Sequence, residues 1–252
     1  MFNNKEYFEV NREERHFGNL LISTIIYDNN FRTFFFNLIN EKLKKPEYLK
    51  GEFDIYSETA ILRDYWYDLG ENRKKSPELV NRHREIIRLC FGHFNINPVL
   101  LDQYPLFWDK NQLKFPGKWT EKHNKNLFTL KNIQKENSIQ NNYLCRIKWA
   151  FNAKPDLLII SNNKCVIIEL KLESGIGKND DGYDQIQTQK DVGNLAKITI
   201  PFFSEKLFEN ILLTKEEDKN NLSWSEILCG LNNFGSELVK RHFRRINFTP
   251  SQ

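Results

Sequence analysis

The run DLLIISNNKCVIIELKLE, residues 156–173, sets Asp156, Glu169 and Lys171 among side chains that otherwise favour burial. A buried charge is costly unless it is paired, hydrogen-bonded or bound to metal, so these three groups need a structural partner or a chemical role. Two carboxylates supply hard oxygen ligands, and Mg²⁺ is commonly held by one or two of them with water and phosphate oxygens completing its shell. An ammonium two residues beyond the second carboxylate can orient or help deprotonate a water and neutralise charge growing on phosphate. Together those roles amount to phosphodiester hydrolysis. The structural alternative is a cross-strand salt bridge at a sheet edge, with Pro155 simply starting a strand.

For the three groups to meet, local structure has to bring them to one place. PDLLII at 155–160 and KCVIIELKL at 164–172 are β-type runs split by Ser161-Asn162-Asn163, a hairpin turn. Along the second run, alternation puts Glu169, Lys171 and Glu173 on one side and Ile168, Leu170 and Leu172 on the other. Asp156 then faces Glu169 if the register matches; Glu173 reads as a solvated strand end. YLCRIKWAF at 143–151 alternates and is expected as a strand, GYDQIQTQKDVGNL at 182–195 as a helix, and AKITIPFF at 196–203 as a further strand. Phe17, Leu20, Leu21 and Ile25 recur at helical spacing, predicting a helix over 13–27. Further helices are expected over 31–45, stopping before Pro46, from Ser76-Pro77-Glu78 onward, and near 223–233 and 236–245. Residues 46–75 hold a strand-like stretch without a clear period, and 92–130 read as an irregular elaboration.

Pro155-Asp156, followed thirteen residues after that Asp by Glu169-Leu170-Lys171, resembles the signature of the PD-(D/E)XK, or restriction-endonuclease-like, nuclease superfamily. A second ExK, Glu217-Asp218-Lys219, lies in a polar run without a preceding PD. The resemblance covers the first helix and residues 143–203, and the expected order α, insertion, β, β, β, α, β is similar to that superfamily's α-β-β-β-α-β core. It implies an α/β fold and an Mg²⁺-dependent nuclease, with Mn²⁺ as a substitute ion, in which Asp156 and Glu169 hold the metal and Lys171 is the catalytic amine. Glu14 or Glu13 would supply the acidic residue of the first core helix. Gly18, one turn on, suggests open space beside Glu14. Gln185 would be the Gln of the helix after the triplet, with Gln189 one turn along. DNA is the substrate the resemblance favours, as an endonuclease in restriction, phage defence or DNA processing, and cutting both strands would call for a homodimer.

The 252 residues, 40% hydrophobic with 20 Phe, suit one elaborated domain with a substantial core. The expected layout is a single domain over 1–252: core from 12–28 and 143–203, a largely helical insertion over 29–142, and a C-terminal helical tail over 204–252. A net charge of +4, from 37 basic and 33 acidic residues, is compatible with a polyanion without requiring one. Two basic stretches are candidate phosphate contacts: Arg82, Arg84 and Arg88, and Lys240, Arg241, Arg244 and Arg245. The four cysteines have no metal-ligand spacing, which suggests reduced thiols in a cytoplasm, and LLISTIIY is too short to span a bilayer. No membrane partner or nucleotide cofactor is expected. Two rival readings are a non-catalytic nucleic-acid- or protein-binding scaffold that keeps the fold, and metal-dependent hydrolysis of another substrate.

Overall fold

In the computed structural model, residues 14–70, 76–103, 107–119, 143–171, 185–214, 219–235, 237 and 240 are described, residues 14–16 as backbone alone. In chain order the elements are α1 (Glu14–Tyr27), α2 (Asn29–Lys42), β1 (Asp54–Ser57), α3 (Ile61–Asp68), α4 (Pro77–His93), α5 (Leu100–Gln103), β2 (Trp108–Asp109), β3 (Gln112–Leu113), α6 (Tyr143–Asn152), β4 (Leu157–Ser161), β5 (Lys164–Leu170), α7 (Gln185–Thr199), β6 (Leu207–Thr214), β7 (Leu222–Ser223) and α8 (Trp224–Phe234). The architecture is α/β with a mixed sheet. No described helix is long and apolar enough to cross a membrane. The chain divides into two compact units, one formed by 1–59, 155–175 and 207–252, the other by 60–154 and 176–206.

The first unit is built on a five-stranded sheet of order β1-β4-β5-β6-β7. β1, β4 and β5 are antiparallel neighbours, while β6 runs parallel to β5 and β7 parallel to β6. β4 and β5 are apolar nearly throughout because both of their faces are buried. Asn162 turns the chain between them with a left-handed φ of 54°, which Asn tolerates better than most residues. One sheet face, carrying Leu157, Ile159, Val166, Ile168, Leu170, Ile211 and Leu213, packs against α1, α2 and α8. From α1 it receives Phe17, Leu21 and Ile25, each worth roughly 1.5–3 kcal/mol on burial. Asp28 separates α1 from α2, its carboxylate accepting from the N–H groups of Asn30 and Phe31 as an N-cap.

The second unit is mostly helical. Ser76 caps α4 by accepting from Leu79 N, with Pro77 at its first turn, as the sequence predicts. Trp66 of α3 lies flat on His83 of α4, ring centroids 3.8 Å apart. α6 and α7 are joined by Arg146, whose guanidinium donates to both carboxylate oxygens of Asp191 at 2.8 and 2.6 Å.

Two expected strands are helical. YLCRIKWAF forms α6, whose buried Leu144, Ile147, Ala150 and Phe151 fall at three-to-four spacing, a period that so short an apolar run leaves ambiguous. AKITIPFF is the last turns of α7, ended by Pro201, whose ring cannot continue a helix, and a 3-10 turn over Pro201–Phe203. Burial of Leu195, Ala196 and Thr199 along one helix side outweighs the strand preference of Ile198 and Thr199. The strands that flank the hairpin are instead β1, from within the 29–142 segment, and β6, from beyond residue 203. The sheet therefore draws on segments expected to be insertion and tail.

Candidate active site at the end of the β4–β5 hairpin

The site residues stand where the hairpin runs out. Leu157 pairs with Ile168, so one step further along this antiparallel register Asp156 lies opposite Glu169. The Asp156 carboxylate accepts from Leu170 N at 2.8 Å, and its backbone carbonyl accepts from Glu58 N at 3.2 Å, just beyond β1. Asp156 is thereby tied to both neighbouring strands. Leu170 belongs to the core face, so alternation sends Glu169 and Lys171 to the other face.

Glu169 and Lys171 are only 4% and 9% exposed, and Lys171 Nζ stands 3.0 Å from Glu169 Oε1. Burial at this level makes each charge depend on its partners. Lys171 has left the strand, yet its N–H donates to Leu213 O at 2.8 Å and its carbonyl accepts from Trp224 Nε1 at 3.2 Å. Trp224 is fully buried and meets Phe17 edge to face, so it is a rigid donor. Its helix begins with a capping box, Ser223 and Glu226 bonding each other's backbone N–H, which is visible in the sequence as S-x-x-E. The two anchors of Lys171, Leu213 and Trp224, were not among the residues singled out from sequence.

The donor set of Asp156 and Glu169, two hard carboxylates facing across one strand pair, fits a small divalent cation held through one or two protein oxygens. Among the described residues no group of three or more His, Cys, Asp or Glu gathers as a larger metal cluster.

Comparison with protein-family models, curated proteins and solved structures returns no match.

Glu14 is the first residue of α1, and Glu13 and Glu173 lie outside the described residues. Gly18 does not border open space: a Cβ there would come 2.9 Å from Leu170 Cδ1, so the missing side chain lets α1 approach β5 beside the site. Gln185 opens α7 in the second unit, and Gln189, one turn on, is buried there. In the same unit Arg84 and Arg88 stand 3.2 and 3.8 Å from Asp102, and Arg84 also covers the Trp108 ring at 5.2 Å. These two arginines hold α4 to the α5 segment. Arg82, by contrast, lines a cavity with Lys197. Lys240 pairs with Glu237 at 3.3 Å, and Arg241, Arg244 and Arg245 lie outside the described residues.

Proposed function

We propose that the chain is a metal-dependent nuclease that hydrolyses DNA phosphodiester bonds as an endonuclease, in restriction, phage defence or DNA processing. The observation that carries this reading is the opposition of Asp156 and Glu169 across one strand pair with Lys171 Nζ 3.0 Å from Glu169. It is supported by the chain order of α1, the sheet strands β1, β4 and β5, then α7 and β6, which with other elements between them follows the α-β-β-β-α-β order of the PD-(D/E)XK superfamily, β1 and β6 standing in place of the two expected strands that are helical. A restriction-endonuclease-like core is part of the proposal.

Asp156 and Glu169 would hold Mg²⁺, or Mn²⁺ in its place, with Glu14 as a further ligand. The bound ion would supply Lewis-acid polarisation of a phosphoryl oxygen and a more acidic water. Lys171 brings a positive charge to the same corner, and its backbone is fixed on both sides by Leu213 and Trp224. A preorganised ammonium needs little rearrangement as negative charge develops on phosphate. DNA is the partner, and a homodimer would bring two sites to the two strands.

Supercoiled plasmid and linear DNA incubated with the protein test the reading directly. Nicking and linearisation are expected with Mg²⁺ or Mn²⁺ and not with EDTA, and Lys171→Met is expected to cut far more slowly than wild type. Intact DNA in every metal condition, or a Lys171→Met protein that cuts at the wild-type rate, would overturn it.

A further inference from the structure

Where α3, α4 and the end of α7 come together in the second unit lies a cavity of about 330 Å³. That volume is at the small end of the range for ligand sites, enough for one compact organic molecule. Its lining includes the buried Ile86 and Ile200, with Leu89 and Ile198 contributing exposed apolar surface. Three charged side chains share this lining: Arg82 and Glu85 of α4, and Lys197 of α7.

The ion pairing around α4 is uneven. Arg84 and Arg88 share Asp102. Arg82 and Lys197 form no ion pair among the described residues, and Glu85, one turn beyond Arg82, forms none either. Two exposed cations on one lining, neither held in an ion pair among the described residues, favour an anionic group. The apolar lining favours a flat hydrophobic body, and a carboxylate in the same cavity favours a ligand that also donates an N–H.

We infer that this cavity binds a nucleoside monophosphate. Arg82 and Lys197 take the phosphate, the base lies on the apolar surface of Leu89 and Ile198, and Glu85 accepts a hydrogen bond from a base N–H. The nucleotide is either free or the end of a single strand, since both offer the same chemistry. This site is independent of Asp156, Glu169 and Lys171.

Titration calorimetry on the full chain tests the inference with AMP, adenosine, inorganic phosphate and purine riboside monophosphate, which lacks the amino group. Saturable one-to-one binding of AMP is expected, with adenosine and phosphate each weaker by about tenfold or more. Arg82→Ala/Lys197→Ala should bind AMP about a hundredfold more weakly with an unchanged unfolding midpoint, and Arg88→Ala should bind as wild type does. Purine riboside monophosphate should bind more weakly than AMP to wild type but equally well to Glu85→Ala. Competition by a 5′-phosphorylated oligodeoxyadenylate assigns the site to a strand end, and binding of AMP without such competition assigns it to the free nucleotide. No saturable AMP binding, or undiminished binding by the folded double variant, overturns the inference.

Discussion

Asp156 and Glu169 face each other across the β4–β5 pair, and Asp156 also accepts a hydrogen bond from Leu170, the residue between Glu169 and Lys171. One carboxylate therefore does two things at once. It contributes charge to the corner, and it closes the strand ladder at the point where Glu169 and Lys171 emerge.

Those two roles separate by substitution. Asp156→Asn keeps an oxygen that can accept from Leu170 N but removes the negative charge, so the unfolding midpoint in urea should stay near wild type. Plasmid cleavage should fall by about 10²–10³, corresponding to a few kcal/mol of lost charge stabilisation. Asp156→Ala also removes the acceptor for Leu170 N, and should cost about 1–3 kcal/mol of stability besides. An Asp156→Asn protein with undiminished cleavage would deny the carboxylate a chemical role.

Glu169 and Lys171 are a buried pair with side chains 6% and 10% exposed. Removing one charge leaves the other in a poorly solvated place, so Glu169→Gln or Lys171→Met alone should cost about 3–5 kcal/mol. The double substitution should cost less than the sum of the two, with a coupling of about 0.5–3 kcal/mol in urea unfolding. Strict additivity would mean that the 3.0 Å contact is not an energetic unit.

A second ion pair, with a buried carboxylate and a half-buried guanidinium, supports the other unit. Asp191 is 1% exposed and takes both nitrogen contacts of Arg146, plus one from Gln187 Nε2 at 3.0 Å. Arg146→Met should destabilise by about 3–5 kcal/mol, and Arg146→Lys should recover only part of that, because an ammonium cannot reproduce the two-pronged geometry. Chemical denaturation of the three proteins gives the order directly; equal stability of the Lys and Met variants would point to packing over Phe94 and Tyr143 as the main role of Arg146.

The hairpin and its charges were legible because three local signals agree there: β-branched runs, a polar turn at Ser161–Asn163, and charges at fixed offsets along the strand. The helices at 14–27 and 77–93 were legible too, one from its apolar spacing and the other from Ser76-Pro77. α6 was not, because Tyr143, Ile147, Trp149 and Phe151 suit a strand locally and only tertiary packing reveals which face is buried. β1, with four residues of which only Ile55 is not exposed, owes its strand form to pairing with β4 rather than to its own pattern. The supports of Lys171 come from Leu213 and Trp224, more than forty residues away, and no short-range pattern couples such positions.

His83 gives a prediction in pH. Its ring lies flat on Trp66 and Nε2 donates to Trp66 O at 3.2 Å, leaving the second nitrogen to take up the proton that would charge it. Burial holds the His83 pKa below its ordinary value of about 6.5, and the hydrogen bond to Trp66 opposes this only in part. Between the lowered folded value and about 6.5 the unfolded chain binds more protons than the folded one, so stability falls as pH falls. The loss should begin near pH 6.5 and level off once the folded-state histidine also protonates. His83→Gln keeps an N–H donor without a titrating group. Its urea midpoint should be lower than wild type at pH 7, through the lost stacking, but should change less between pH 7 and pH 5. If the two proteins lose stability in parallel over that range, the acid sensitivity has its source in other groups.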